Sequence, residues 1–147
     1  MASLMQWRLP RLFMQSGVRF LVPRQRLGVG LIGMDETGRV LLLRHVFHPH
    51  IPWGVPGGWL ERNEAPADGV LRELQEETGL TAVLGPVIHV THERHPTHIG
   101  IAYFGRIQPG TITLSPEIIE ARWFDRTELP RLTAFTYHAI QTGFEML

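Results

Sequence analysis

One segment constrains the architecture of this chain more than any other. Ala65 to Thr78 is the best helix in the sequence, and it sits mid-chain among segments that read as strands. Asn63 can cap its start, Pro66 occupies the first turn where a missing N–H costs nothing, and Gly79 ends it. Ala67, Val70, Leu71, Leu74 and Thr78 recur at three and four residues and form one apolar stripe. A stripe of that width has to be buried against another layer. Strands outnumber helices, so the fold class is mixed α/β (α+β) in layers.

The strand segments are Leu27 to Met34, Arg39 to Arg44, Val83 to Val90, Ile99 to Ile107 and Arg122 to Phe124. Asp35-Glu36-Thr37-Gly38 reads as a hairpin turn between the first two, and a loop rich in His and Pro follows from His45 to Pro56. A last helix, Ala134 to Thr142, is expected to bury Phe135, His138, Ala139 and Phe144. At 147 residues the chain has the length of one domain. That domain is expected over 26–147, after a basic and apolar arm over 1–25. The arm carries Arg8, Arg11, Arg19 and Arg24 and no acid, with a short helix expected from Pro10 to Gly17. It reads as an ordered arm packing on the domain or on a second subunit, since Trp7, Leu9, Phe13 and Phe20 need burial. A mitochondrial transit peptide is the alternative.

Composition narrows the function classes. The 14 basic and 14 acidic residues cancel, which argues against a general nucleic-acid binder. The longest apolar run, Leu27 to Met34, has eight residues, far below the ~20 of a membrane-spanning helix. A secretory signal peptide is not expected. The absence of cysteine removes disulfides, thiolate metal sites and cysteine nucleophiles, and fits a cytoplasmic setting.

Within the helix, Glu73, Glu76 and Glu77 stand at i, i+3 and i+4 and share one face, rotated away from the apolar stripe. Stacked carboxylates repel by a few tenths of a kcal/mol per pair. A hard divalent cation such as Mg²⁺ relieves that repulsion; an acidic solvated face is the other reading.

The surrounding residues extend the pattern. Gly58, Glu64 and Arg72-Glu73-Leu74-Gln75-Glu76-Glu77-Thr78-Gly79-Leu80, preceded by Trp53-Gly54-Val55-Pro56-Gly57, resemble the signature box of the Nudix hydrolases at every defining position. Asn63 stands where members often have Gly, and Asn tolerates left-handed backbone angles better than other residues. The resemblance implies an α/β/α sandwich with a mixed sheet, and a cleft for a small nucleotide diphosphate. It implies Glu73 and Glu77 as principal ligands of Mg²⁺ or Mn²⁺, Glu76 as a third ligand or a holder of metal-bound water, and the Gly58 carbonyl as a further ligand. Arg72 and Glu64 would pair and orient the loop on the helix. The implied reaction is water attacking phosphorus in a nucleoside diphosphate linked to another group. The base that takes the water's proton would come from the box or from outside it, where Glu117 and Glu120 are the candidates, Glu120 being preferred.

Substrate choice lies outside the box. Pro96, sixteen residues after Leu80, resembles a mark of the ADP-ribose-cleaving branch. Arg44, Trp53 and Arg94 are the candidate substrate contacts, with His45, His48 and His50 flanking Trp53. His89, His92, His95 and His98 recur every third residue, yet strand geometry divides them between two faces, so a rim loop is preferred to a second metal site. Competing readings are an oxidised-nucleoside-triphosphate pyrophosphohydrolase and a non-catalytic nucleotide sensor. Isomerases sharing the fold need a cysteine. Most members are dimers, so a homodimer is expected.

Overall fold

The computed structural model describes residues 22–147. The arm and its Pro10–Gly17 helix therefore lie outside the described residues, apart from 22–25. Seven strands and two helices follow: β1 Leu27–Met34, β2 Val40–His45, β3 Trp53–Gly54, β4 Gly57–Trp59, α1 Pro66–Thr78, β5 Ala82–Arg94, β6 Thr97–Ile107, β7 Ile118–Phe124 and α2 Ala134–Glu145.

The strands make one mixed sheet. β1 runs parallel to β6 from Leu27↔Ile99 to Met34↔Arg106, and β6 pairs antiparallel with the long edge strand β5. On its other side β1 meets β4, with Val29 opposite Gly58 and Gly30 opposite Gly57. The expected turn forms, with the Gly38 amide donating to Asp35 O at 3.1 Å. The hairpin beyond it opens at once: Met34↔Val40 is the one aligned pair of β1 and β2. β2 spends its length on β7 and its end on β3.

β1 throughout and β2 over its first four residues are apolar without interruption because both faces of the sheet are covered. Val29, Leu31, Leu41 and Leu43 point to one core with Val70 and Leu74 of α1. Ile32, Met34, Val40 and Leu42 alternate with them and point to a second core with Ala139 and Ile140 of α2. The result is the α/β/α sandwich. Leu31, Leu41, Leu42 and Leu43 are fully buried, each worth ~1.5–3 kcal/mol in removal from water.

Several local expectations are corrected. Asn63 does not cap α1: the N-cap is Ala65 without a side-chain bond, and Asn63 takes a left-handed φ of 64° two residues earlier. The cap is dispensable because Pro66 removes one orphan donor and Asp68 sits favourably in the first turn. The 45–56 loop is interrupted by β3, and β4 follows it directly. His138 is exposed, the buried positions of α2 being Thr136, Ala139, Ile140 and Gly143. The series His89 to His98 spans a β-hairpin rather than a rim loop.

Candidate active site

The site is assembled where β4 crosses the side of α1. Gly57 and Gly58 are needed there for proximity. A Cβ on Gly58 would stand 2.5–2.8 Å from the Glu73 carboxylate, and one on Gly57 would strike the Val29 carbonyl. With no side chain in the way, the Gly57 amide donates to Glu77 Oε2 at 2.9 Å.

Arg72 organises the acids. Its Nε donates to Glu64 Oε1 at 2.6 Å and its Nη2 to Glu64 Oε2 at 3.0 Å, a bidentate pair. Nη2 also donates to the Trp59 carbonyl at 3.1 Å, tying the end of β4 to the helix. Nη1 reaches Glu73 Oε1 at 3.0 Å and Glu76 Oε2 at 3.1 Å. The hydrogen bonds from Arg72, aided by the Glu61 amide, bring the Glu64 carboxyl down to about 2. The same pairing raises Arg72 well above its ordinary value. Burial pushes the Glu73 carboxyl up against the opposing pull of Arg72.

Glu77 is the odd member. It is 6% exposed, and the Gly57 amide is the one hydrogen-bond partner of its carboxylate among the described residues. Burial, opposed by that amide and reinforced by the charges of Glu73, Glu117 and Glu76, pushes it up to about 8. A carboxylate kept in such a place lacks a countercharge.

A cleft of about 370 Å³ opens over these groups, lined by Glu73, Glu77 and Glu117 together with His45, Phe47 and His48. Glu117 arrives because the chain after β6 folds back along the end of α1. The Thr113 amide donates to Thr78 O at 2.8 Å and the Ser115 amide to Glu77 O at 3.1 Å, using carbonyls the helix end leaves free. Burial and neighbouring His48 hold the His45 imidazole below its ordinary value.

Two further chambers adjoin this cleft, and His48 and Gly57 border all three. One, of about 290 Å³, lies between Trp59, His98 and Phe135 over a floor of glycines from β1 and β6. The other, of about 530 Å³, lies between the 45–51 loop and the start of α2.

The predicted residues divide accordingly. Glu64, Arg72, Glu73, Glu76, Glu77 and Gly58 come together. Glu120 does not join them: on β7 it faces Arg44 across the ladder, with Arg44 Nη1 3.6 Å from Glu120 Oε2. That pair occupies Arg44 outside the cleft as well. Arg94 is exposed at the tip of the β5–β6 hairpin, away from all three chambers. Trp53 borders the larger chamber, but its ring packs edge-on against Phe124 at 5.1 Å in the second core. The aromatic that sequence reasoning missed is Trp59, 46% exposed and stacked edge-on with His98 at 4.8 Å. Its signal was available: it directly follows the glycine pair, on the strand that forms the wall.

The oxygen-only donors fit a hard divalent cation. Glu77 needs positive charge, and Gly58 leaves the Glu73 carboxylate room beside the backbone. Among the described residues no three His, Asp or Glu side chains already converge as a closed cage, for Arg72 holds Glu73 and Glu76. The His89–His98 series does not converge in that way either.

The NUDIX domain profile matches residues 24–142. The ADP-ribose pyrophosphatase of Methanocaldococcus jannaschii is 29% identical over 112 residues, 73% of this chain and 66% of that protein. The 8-oxo-dGTP diphosphatase of Proteus vulgaris is 34% identical over 73 residues, 48% of this chain and 65% of that protein. The chain thus spans just under two thirds of the length of either relative. A NUDIX hydrolase structure from Nitrosomonas europaea superposes with a TM-score of 0.75 at 22% identity, covering 84% of this chain and 72% of that one, and shares the fold. With its signature residues gathered at one cleft, this chain belongs to the NUDIX domain family.

Proposed function

We propose that the chain is a divalent-metal-dependent hydrolase that cleaves the diphosphate of a nucleoside diphosphate linked to a second group. The observation that carries this reading is Glu77: a carboxylate buried beside other carboxylates, at the floor of an open cleft, with one amide as its partner. Glu73 and Glu77 would hold Mg²⁺ or Mn²⁺, with Glu76 and the Gly58 carbonyl as further donors. Such an ion, when bound, neutralises phosphate oxygens and lowers the pKa of coordinated water. Glu64 and Arg72 are positioning residues that fix the carboxylates and the end of β4. Glu117, exposed on the cleft wall, takes the proton from the attacking water, the role first expected of Glu120. Trp59 takes the substrate-contacting role expected of Trp53.

Removal of oxidised nucleoside triphosphates is a second reading, favoured by the Proteus vulgaris relative. The full chain, assayed for released phosphate products with ADP-ribose, a nucleotide sugar, a dinucleoside polyphosphate and 8-oxo-dGTP, tests both. Turnover of the first two with Mg²⁺, abolished by EDTA, is the expected result. Turnover unaffected by EDTA refutes the metal, and turnover of 8-oxo-dGTP alone favours the second reading. A homodimer through the N-terminal arm is also proposed, and size exclusion of a chain starting at Pro23 tests it: an unchanged oligomeric state removes the arm from the interface.

A further inference from the structure

The carboxylate cleft is short of donors for an anion. Glu61, Glu73, Glu77 and Glu117 line it against a single guanidinium, that of Arg72, which Glu64, Glu73 and Glu76 already engage. The Gly57 amide is spent on Glu77. The chain has no lysine, and no other arginine lines the cleft among the described residues. The side-chain donors left in the lining are the imidazoles of His45 and His48 and the indole of Trp59.

The two histidines are not equivalent. His45 is half-buried, and its Nε2 packs over Gly54, 3.6 Å from where a Cβ would stand. His48 is exposed and borders the cleft and both adjoining chambers, so it stands at their junction. Its ring meets that of His45 edge-on at 5.7 Å, a contact that braces it. Among the described residues His98 is the one histidine whose ring makes a hydrogen bond, so both nitrogens of His48 are open to a ligand. The loop that carries His48 is closed by the His45 amide, which donates to Pro52 O at 2.8 Å. It is tied to the cleft by the Val46 amide, which donates to Glu117 O at 3.0 Å. One main-chain bond therefore links the His48 loop to the residue proposed as the base.

We propose that His48 contacts the reacting diphosphate, its imidazole N–H donating to a phosphoryl oxygen held over the carboxylates. An imidazole has an N–H to give in either protonation state, and a hydrogen bond to an ionised oxygen is among the stronger ones. The bond from Val46 to Glu117 keeps this contact in step with the base, because the loop cannot shift without pulling on the main chain of Glu117. His45 is a positioning residue for the His48 ring. This deepens the hydrolase reading and rests on it.

The test uses the full chain and two readouts, kcat/KM for ADP-ribose with Mg²⁺ and calorimetric affinity for methylenediphosphonate, an uncleavable diphosphate, with Mn²⁺. His48→Ala is expected to lower both about tenfold. His48→Gln, which keeps an N–H, should recover part of each loss. His50→Ala, on the same loop but outside the lining of the cleft, should leave both within about twofold. Affinity for Mn²⁺ alone should be unchanged in His48→Ala, since the carboxylates are untouched. If Mn²⁺ affinity falls together with diphosphonate affinity, the loop is a structural support of the site and the assignment is overturned. A fall in kcat with diphosphonate affinity unchanged makes the loop a brace for Glu117 alone and overturns it as well. So does a wild type that binds no diphosphonate, or a His48→Ala chain that matches wild type in both readouts. If wild type cleaves no ADP-ribose, nucleotide sugar, dinucleoside polyphosphate or 8-oxo-dGTP, the hydrolase reading fails, and the diphosphonate affinities alone then decide the role of His48.

Discussion

Replacing Glu77 by Gln should stabilise the metal-free protein, and by an amount that grows with pH. The carboxyl titrates near 4.5 in an unfolded chain and is pushed up to about 8 in the fold, chiefly by burial. Between those values the folded chain keeps a proton that the unfolded chain releases, so stability falls as pH rises through the window. At ~1.36 kcal/mol per unit, the linkage integrates to a loss of about 1 kcal/mol by pH 5 and about 4 kcal/mol by pH 8. Gln keeps an oxygen for the Gly57 amide and cannot ionise, so Glu77→Gln escapes this loss. Titrating groups remote from Glu77 cancel in the difference between the two proteins. Urea unfolding in EDTA at pH 5, 6, 7 and 8 reads it directly. With an m-value of ~1.5 kcal/mol per molar, the midpoint gap should widen by about 2 M from pH 5 to pH 8. Adding Mn²⁺ at pH 8 should raise the wild-type midpoint and leave that of Glu77→Gln where it was. A gap that stays constant with pH refutes the account of Glu77 as a buried acid awaiting a cation.

Three other outcomes follow from the same geometry. Glu117→Gln should lower kcat on the order of 100-fold with KM nearly unchanged, while Glu120→Gln, which breaks only an exposed ion pair with Arg44, should leave both within about threefold; steady-state kinetics with ADP-ribose distinguishes them. Gly58→Ala should cost activity about tenfold or more while moving the thermal midpoint little, because the new Cβ meets the movable end of Glu73 rather than backbone, and calorimetric unfolding beside an activity assay separates the two effects. Arg72→Lys should lose most activity although the charge is kept, since one ammonium cannot replace a fork that serves Glu64, Glu73, Glu76 and the Trp59 carbonyl; a return to wild-type rates would refute the positioning role.

What was legible in the sequence was what depends on local period and spacing. Helix α1 ends at Gly79 as read, because a left-handed C-cap is a local demand. The acids that share its face come together because 3.6-residue geometry puts them there. What was not legible depends on partners distant in sequence. Glu117 and Glu120 stand three residues apart, and choosing between them needed the amide bond from Ser115 to the end of α1 and the register that sets Glu120 opposite Arg44. Trp53 and Trp59 both flank the glycine pair. Only the packing of Trp53 on Phe124 shows which of the two is committed to a core. His138 is expected in the interior from the sequence, yet α2 turns Ala139, Ile140 and Gly143 to the sheet and leaves the imidazole outside.

The fold-back of residues 111–117 along α1 separates two kinds of inheritance. The carboxylates of α1 are fixed by a helical repeat, and an insertion between Glu73 and Glu77 would rotate them apart. Glu117 is delivered instead by a tether whose anchor points are main-chain amides, at Thr113 and Ser115, indifferent to side-chain identity. Substitutions along the tether can therefore exchange the group that faces the water, or move it by a residue, without disturbing the acids beneath. Under the proposed mechanism, a chain built this way can change the base that activates water while leaving the acids proposed to hold the ion intact.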